Sequence, residues 1–320
     1  MIRWLVVGLV ACGSPEPDKP PPPAPVTTPA RPACDPKQRT TCVGDAVVEC
    51  SKGELGRTVS ACQGACKAGA CVDPCAIKDV ELIYVVDNAG KLLRFDPRKQ
   101  HEDPFQLVGK LACESDRPFS MAVARDGIAW ILFDTGKLHR VSILDAHCAP
   151  GGWLPEPNPA RMFGMGFVSP KGLAVDSLYV AAADETHMLA QLDVTTEPPR
   201  WTSIGPIAET GKNNAELSGT SAGELFGYFP EAGGFVQQID RTTGKVIGKR
   251  WRIPATGKVE ADAYAFAHWG GVFYVFVTVN GNSAVHAIHR KTGKYELLRE
   301  HLPLPIVGAG VSTCAPQLEQ

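Results

Sequence analysis

Two kinds of apolar pattern alternate along this chain from about residue 76 onward. The first is a short run in which every second side chain is small. It occurs at Phe119-Ser-Met-Ala-Val-Ala, Phe163-Gly-Met-Gly-Phe-Val, Ala215-Glu-Leu-Ser-Gly-Thr, Tyr264-Ala-Phe-Ala-His-Trp and Val307-Gly-Ala-Gly-Val-Ser. The second is a nearly continuous apolar run that follows soon after, as at Gly127–Phe133, Leu173–Ala181, Glu224–Phe229 and Val272–Val277. Neither pattern has helical period, and both are rich in β-branched and aromatic residues between turn signals, so both read as strands. A third strand follows a polar turn at Lys137–Ile143, Met188–Asp193, Phe235–Asp240 and Ala284–His289. Turns such as Arg241-Thr-Thr-Gly-Lys245 and Arg290-Lys-Thr-Gly-Lys294 then lead to a fourth.

The first pattern recurs at intervals of 44, 52, 49 and 43 residues. A period of that length in an all-β chain predicts propeller blades of four strands each. Small residues at alternate positions (Gly164 and Gly166, Ala265 and Ala267, Gly308 and Gly310) suit innermost strands, which crowd together at an axis. The run Glu81–Asp87 reads as a second strand with no first strand before it, and 307–314 as a first strand with no second after it. Together they complete one blade. The expectation is an all-β fold: a five-bladed β-propeller closed by the C-terminal strand, spanning 76–320.

A different segment precedes it. Residues 34–75 hold Cys34, Cys42, Cys50, Cys62, Cys66, Cys71 and Cys75. Such a short stretch buries too little apolar surface to fold unaided, so a small disulfide-rich module is expected. Paired Cys-x-x-Cys knuckles are absent, which argues against zinc. Six cysteines allow 15 connectivities, and spacing does not choose among them. Cys75 is odd in the module. Closure of the ring would bring it near Cys314, leaving Cys113 and Cys148 for each other. Residues 12–33 form a proline-rich linker, with nine prolines between 13 and 33. It favours extended polyproline II geometry and reaches roughly 60 Å. Residues 1–11 have a basic start, a short apolar run and a small residue at the end, as a secretory signal requires.

Charge narrows the function classes. The net charge of −2 offers no basic field for nucleic acid. The Trp4–Ala11 run is far short of the ~20 residues of a spanning helix. Eleven cysteines, ten besides Cys12, are consistent with export into an oxidising compartment.

Candidate chemistry is sparse. Gly219-Thr-Ser221-Ala-Gly223 matches a nucleophile elbow, but runs from strand to strand instead of strand to helix, which makes it a hairpin. His286 and His289 point to opposite strand faces and cannot share a metal. His268 reads as a core histidine. Asp87, Asp134 and Asp184 end second strands and read as turn residues on hairpins off the axis. Asp116, Arg117, Arg161, Asn214 and Asp262 fall on loops entering inner strands, and Glu216 on an inner strand. They form one polar rim, suited to a sugar or peptide. No catalytic residue, cofactor or metal is expected.

The stretch Leu9-Val-Ala-Cys12, the proline spacer, the cysteine-rich neck, the run Phe119–Trp130 and the ending Ile306–Pro316 together resemble a group of bacterial lipoproteins. The resemblance implies that Cys12 receives lipid after cleavage and tethers the chain at the outer membrane or cell surface, with a propeller beyond the spacer, and it brings no catalytic residues. The spacer, the stapled neck and the two flat faces of a ring point to a non-enzymatic binding or scaffold role toward a protein or glycan ligand. Two rival expectations stand beside this binding or scaffold role: an exported enzyme acting on a glycan or lactone at the axis, with Glu216 and Asp262 as acid and base, and a structural envelope component.

Overall fold

The computed structural model describes residues 34–318, apart from 45, 62–64, 73, 114–116, 154–159, 172–174, 208–214, 231–233 and 254–260. The stretch Leu9–Cys12, the linker, Cys62, Asp116 and Asn214 therefore lie outside the described residues. Among those described there is no α-helix, and none of the elements is a helix long and apolar enough to cross a membrane.

The cysteine-rich segment forms a three-stranded meander, β1 (Thr40–Val43), β2 (Ala46–Ser51) and β3 (Glu54–Ala61), and a two-stranded ribbon, β4 (Ala65–Lys67) and β5 (Ala70–Val72). Its buried apolar residues are Val47, Val48 and Cys50. So small a core needs covalent help. Cys34 is bonded to Cys50 and Cys42 to Cys66, and Cys71 is also disulfide-bonded.

The remaining strands make five four-stranded antiparallel sheets. One holds β9 (Pro118–Val123), β10 (Ile128–Phe133), β11 (Lys137–Ser142) and β12 (Cys148–Trp153). The next holds β13 (Phe163–Val168), β14 (Ser177–Ala182), β15 (Met188–Asp193) and β16 (Arg200–Pro206). A third has β17 (Glu216–Gly219), β18 (Leu225–Phe229), β19 (Phe235–Ile239) and β20 (Val246–Arg252). A fourth has β21 (Ala263–Trp269), β22 (Val272–Val279), β23 (Asn282–His289) and β24 (Tyr295–Leu302). The last is assembled from both ends of the chain. Its order is β25 (Ile306–Val311), β6 (Ile83–Asp87), β7 (Lys91–Phe95) and β8 (Phe105–Lys110). Ala309 lies opposite Val85, and Gly310 opposite Tyr84.

The first strands touch in sequence: β9 with β13, β13 with β17, β17 with β21, β21 with β25 and β25 with β9. Sheets arranged radially in this way are a β-propeller. Burial follows from it. Second strands are covered by sheets on both sides, so β6 and β18 are buried at every residue; hence their unbroken apolar runs. The outermost strands β8 and β16 mix exposed and half-buried positions. Close approach of the innermost strands accounts for the small residues there. A Cβ on Gly164 would stand 2.1 Å from the Ala215 carbonyl oxygen, and one on Gly310 2.9 Å from the Val123 nitrogen.

Covalent and polar ties join the two chain ends. Cys75 is bonded to Cys314, 239 residues away, and Cys113 to Cys148. The Ser312 hydroxyl donates to the Val80 carbonyl at 2.6 Å. Beyond the C-terminal ends of the inner strands, Arg125 donates to Asp176 at 3.1 Å and to the Thr313 hydroxyl at 2.7 Å. That buried pair joins three sheets.

Candidate functional site at the axial rim

The opposite end of the inner strands is open. Arg117 stands one residue ahead of β9, Asp262 one ahead of β21, and Pro305 one ahead of β25, while Glu216 is the first residue of β17. Because the sheets are antiparallel, each second strand ends at the rim where its first strand begins. Asn88, just after β6, and Asp134, just after β10, return there. These residues, with Phe119, Tyr264 and Thr278, line a cavity of about 360 Å³.

Arg117 and Asp134 form an ion pair at the mouth, Nε to Oδ2 3.1 Å, with the arginine side chain 79% exposed. At that exposure the pair contributes at most about 1 kcal/mol; its role is to fix two side chains at the rim. The exposed Asp262 accepts from the Gly281 amide at 3.1 Å. Glu216 is different. It is 2% exposed, and its Oε2 accepts from the Ser120 hydroxyl at 3.0 Å. Ser120 belongs to β9 and Glu216 to β17, two strands separated in the ring by β13. A Cβ on Gly164 of β13 would stand 3.0 Å from the Glu216 Cα, so β13 places no side chain against that residue. Burial pushes the Glu216 carboxyl well above its ordinary range, against the weaker opposing effect of the Ser120 bond. Burial thus favours the neutral form of this carboxyl, which is set into the cavity wall.

Of the residues assigned to the rim from sequence, Arg117, Glu216 and Asp262 are brought together in this cavity. Arg161 is not part of the lining but donates to the Asp134 carbonyl at 3.2 Å. Asp134 corrects the reading of its hairpin as lying off the axis. Its turn lies beside the mouth because the first and second strands share that edge. Asn88 was missed for the same reason. The signal was available in the strand order: a polar residue just after a second strand adjoins the one just before a first strand. Asp87 and Asp184 do serve turns, accepting from the Ala89 amide at 2.9 Å and the Thr186 amide at 2.9 Å.

The remaining chemistry candidates are structural. Thr220 caps the Ser221 hairpin, its hydroxyl accepting from the Ala222 and Glu224 amides. His268 is packed between Phe226 and Phe273, with ring centroids 5.8 and 5.3 Å away, and His286 meets the Tyr295 hydroxyl at 3.0 Å. His139 Nδ1 lies 3.6 Å from Cys148 Sγ, but that sulfur is bonded to Cys113, so this group offers no thiolate to a metal.

No protein-family model and no curated protein matches the sequence. Solved structures with a similar fold include a chain of the nidogen/laminin complex, at 10% identity and a TM-score of 0.45, covering 72% of this chain and 97% of that one. TolB from Acinetobacter baumannii is 14% identical with a TM-score of 0.41, covering 68% of this chain and 52% of its own. The extracellular domain of a two component system from B. thetaiotaomicron gives 10% and 0.36, covering 69% of this chain and 28% of that one. The propeller assignment rests on the sheets themselves. Disulfides in both parts of the molecule mark it as an exported protein, since cytosolic thiols are kept reduced.

Proposed function

We propose that this is a lipid-anchored envelope protein whose five sheets form a five-bladed propeller closed by β25. It acts as a non-enzymatic binding module for a protein or glycan ligand at the axial rim. Cys12 carries the lipid and residues 12–33 hold the propeller away from the outer membrane or cell surface.

The observation that supports binding is the cavity. Four of the five sheets contribute to it, so it is a property of the assembled ring and not of one loop. It combines aromatic faces with a few fixed polar groups, the usual composition of a ligand site. The full chain in detergent is the material for a glycan and peptide array. The expected result is a ligand whose retention falls on Arg117→Ala and Asp262→Asn. Retention unchanged by both substitutions overturns the rim as the site. Cys12→Ser is expected to release the protein from the membrane fraction; persistence there overturns the anchor.

The second reading is hydrolysis of a glycan or lactone, and one observation favours it: a buried carboxyl with raised proton affinity sharing a cavity with Asp262, an arrangement used by acid–base pairs. Turnover of a library glycan that Glu216→Gln abolishes would replace the binding reading with this one.

A further inference from the structure

The axial cavity holds more carboxyls than cations. Arg117 is the one basic side chain among its described lining residues, and Asp134 occupies that guanidinium. Asp262 has only the Gly281 amide as a partner, and Glu216 only the Ser120 hydroxyl, among the described residues. One oxygen of Glu216 is thus uncommitted although the residue is almost fully buried. Phe119 and Tyr264 add ring faces to the same lining. Aromatic faces and carboxyls both attract cations.

We propose that the axial cavity receives a protonated alkylamine, carried either by a free diamine or by a lysine side chain of a partner polypeptide. This rests on the binding reading above and names the chemistry of its ligand. A neutral sugar would leave Asp262 uncompensated, and an anion would be repelled by it. The geometry favours ammonium over guanidinium. Ser120 already holds Oε2, so Glu216 offers one oxygen, whereas a guanidinium is best matched by both.

Binding then carries a proton balance. Burial favours the protonated form of Glu216 in the free protein. The arriving ammonium keeps its own protons and stabilises the carboxylate, so one proton leaves Glu216 for solvent. The charged or titratable groups on the segments packed about it are Arg117 and Asp134 beside β9 and β10, Asp262 and Tyr264 at the start of β21, Tyr228 opposite it on β18, and His268 on β21. Arg117 and Asp134 neutralise each other. His268 stays neutral in the range of interest, its pKa lowered to about 3 by burial and by Arg290. Glu216 is left as the group whose titration tracks occupancy.

The test is calorimetry on the full chain in detergent, with 1,5-diaminopentane, an N-acetylated lysine peptide amide and the neutral isostere 1,5-pentanediol as probes. Two buffers of different ionisation enthalpy report proton release. An amine probe is expected to bind, release up to one proton and bind more tightly as pH rises from 5 to 7.5, while the diol does not bind. Glu216→Gln, which keeps an acceptor for Ser120, should weaken amine binding by about 10- to 100-fold and abolish proton release. Asp262→Asn, at the exposed mouth, should weaken it by roughly 2- to 5-fold and provides an independent readout if the first variant folds poorly. Binding of the peptide alone assigns the lysine source; binding of both assigns the ammonium itself. Equal binding of diol and amine, or amine binding indifferent to both substitutions, overturns the inference but leaves an axial binding site standing. If no amine binds and no array ligand responds to rim substitutions, the inference and the binding reading both fall.

Discussion

At the scale of single residues, burial sets the response to pH. Desolvation raises the proton affinity of Glu216. The folded state therefore retains a proton that the unfolded chain gives up near pH 4.5. The stability this provides is complete below that value and is lost as pH rises toward the folded pKa, at no more than about 1.4 kcal/mol per pH unit. Glu216→Gln should accordingly gain stability over the parent as pH rises above 4.5 and match it near pH 4, as followed by denaturant melts. The histidines act from the other side. Burial lowers His268 to about 3 and His286 to about 4 from the ordinary 6.5. Unfolding takes up protons below pH 6.5, so their stability is present above that value and lost as pH falls toward 3. His268→Leu should flatten the acid flank of the melt profile; an unchanged flank would show that His268 is not its source. Sequence alone carried part of this. His268 as a core residue was legible from its neighbours Phe266 and Trp269 on an inner strand. The Ser120–Glu216 contact was not, because two strands separated by a third meet only through the glycines of β13.

At the scale of elements, strand spacing turns on single atoms. The run of small residues identified the innermost strands in advance, because axial crowding leaves a mark at every second position. Gly164→Ala should cost about 1–3 kcal/mol by overpacking β13 against Ala215, measured as a lower urea midpoint at unchanged slope. A tolerance within about 0.5 kcal/mol would mean the two strands can part freely. Strand limits were less legible. The apolar run from Leu173 suggested a longer second strand than β14, which begins at Ser177. Val175, just ahead of it, is 57% exposed, and an apolar residue at the surface carries no strand signal of its own. Hairpin position was the costlier omission, since it hid Asn88 and Asp134 from the site.

At the scale of the molecule, a few ties join distant parts of the chain. The Cys75–Cys314 bond closes a loop of 239 residues. Replacing both by serine should cost about 2–5 kcal/mol, read from denaturant melts under oxidising conditions; no change would place the tie's effect below that of β25 pairing. Arg125 and Asp176 are the other clasp, with side chains 11% and 8% exposed. Arg125→Met strands the Asp176 charge and should cost about 3–5 kcal/mol, whereas Arg125→Met with Asp176→Leu should recover most of it. Equal losses in both variants would show packing, not charge, to be responsible.

The strand partnership of β25 with β6 also fixes an order of events. A polypeptide that emerges from an export channel with its N-terminus leading presents Ile83–Asp87 long before Ile306–Val311 arrives to cover it. Until then one margin of that first sheet has open amides and carbonyls. A product cut short before residue 306 keeps this margin permanently open to pairing with another chain.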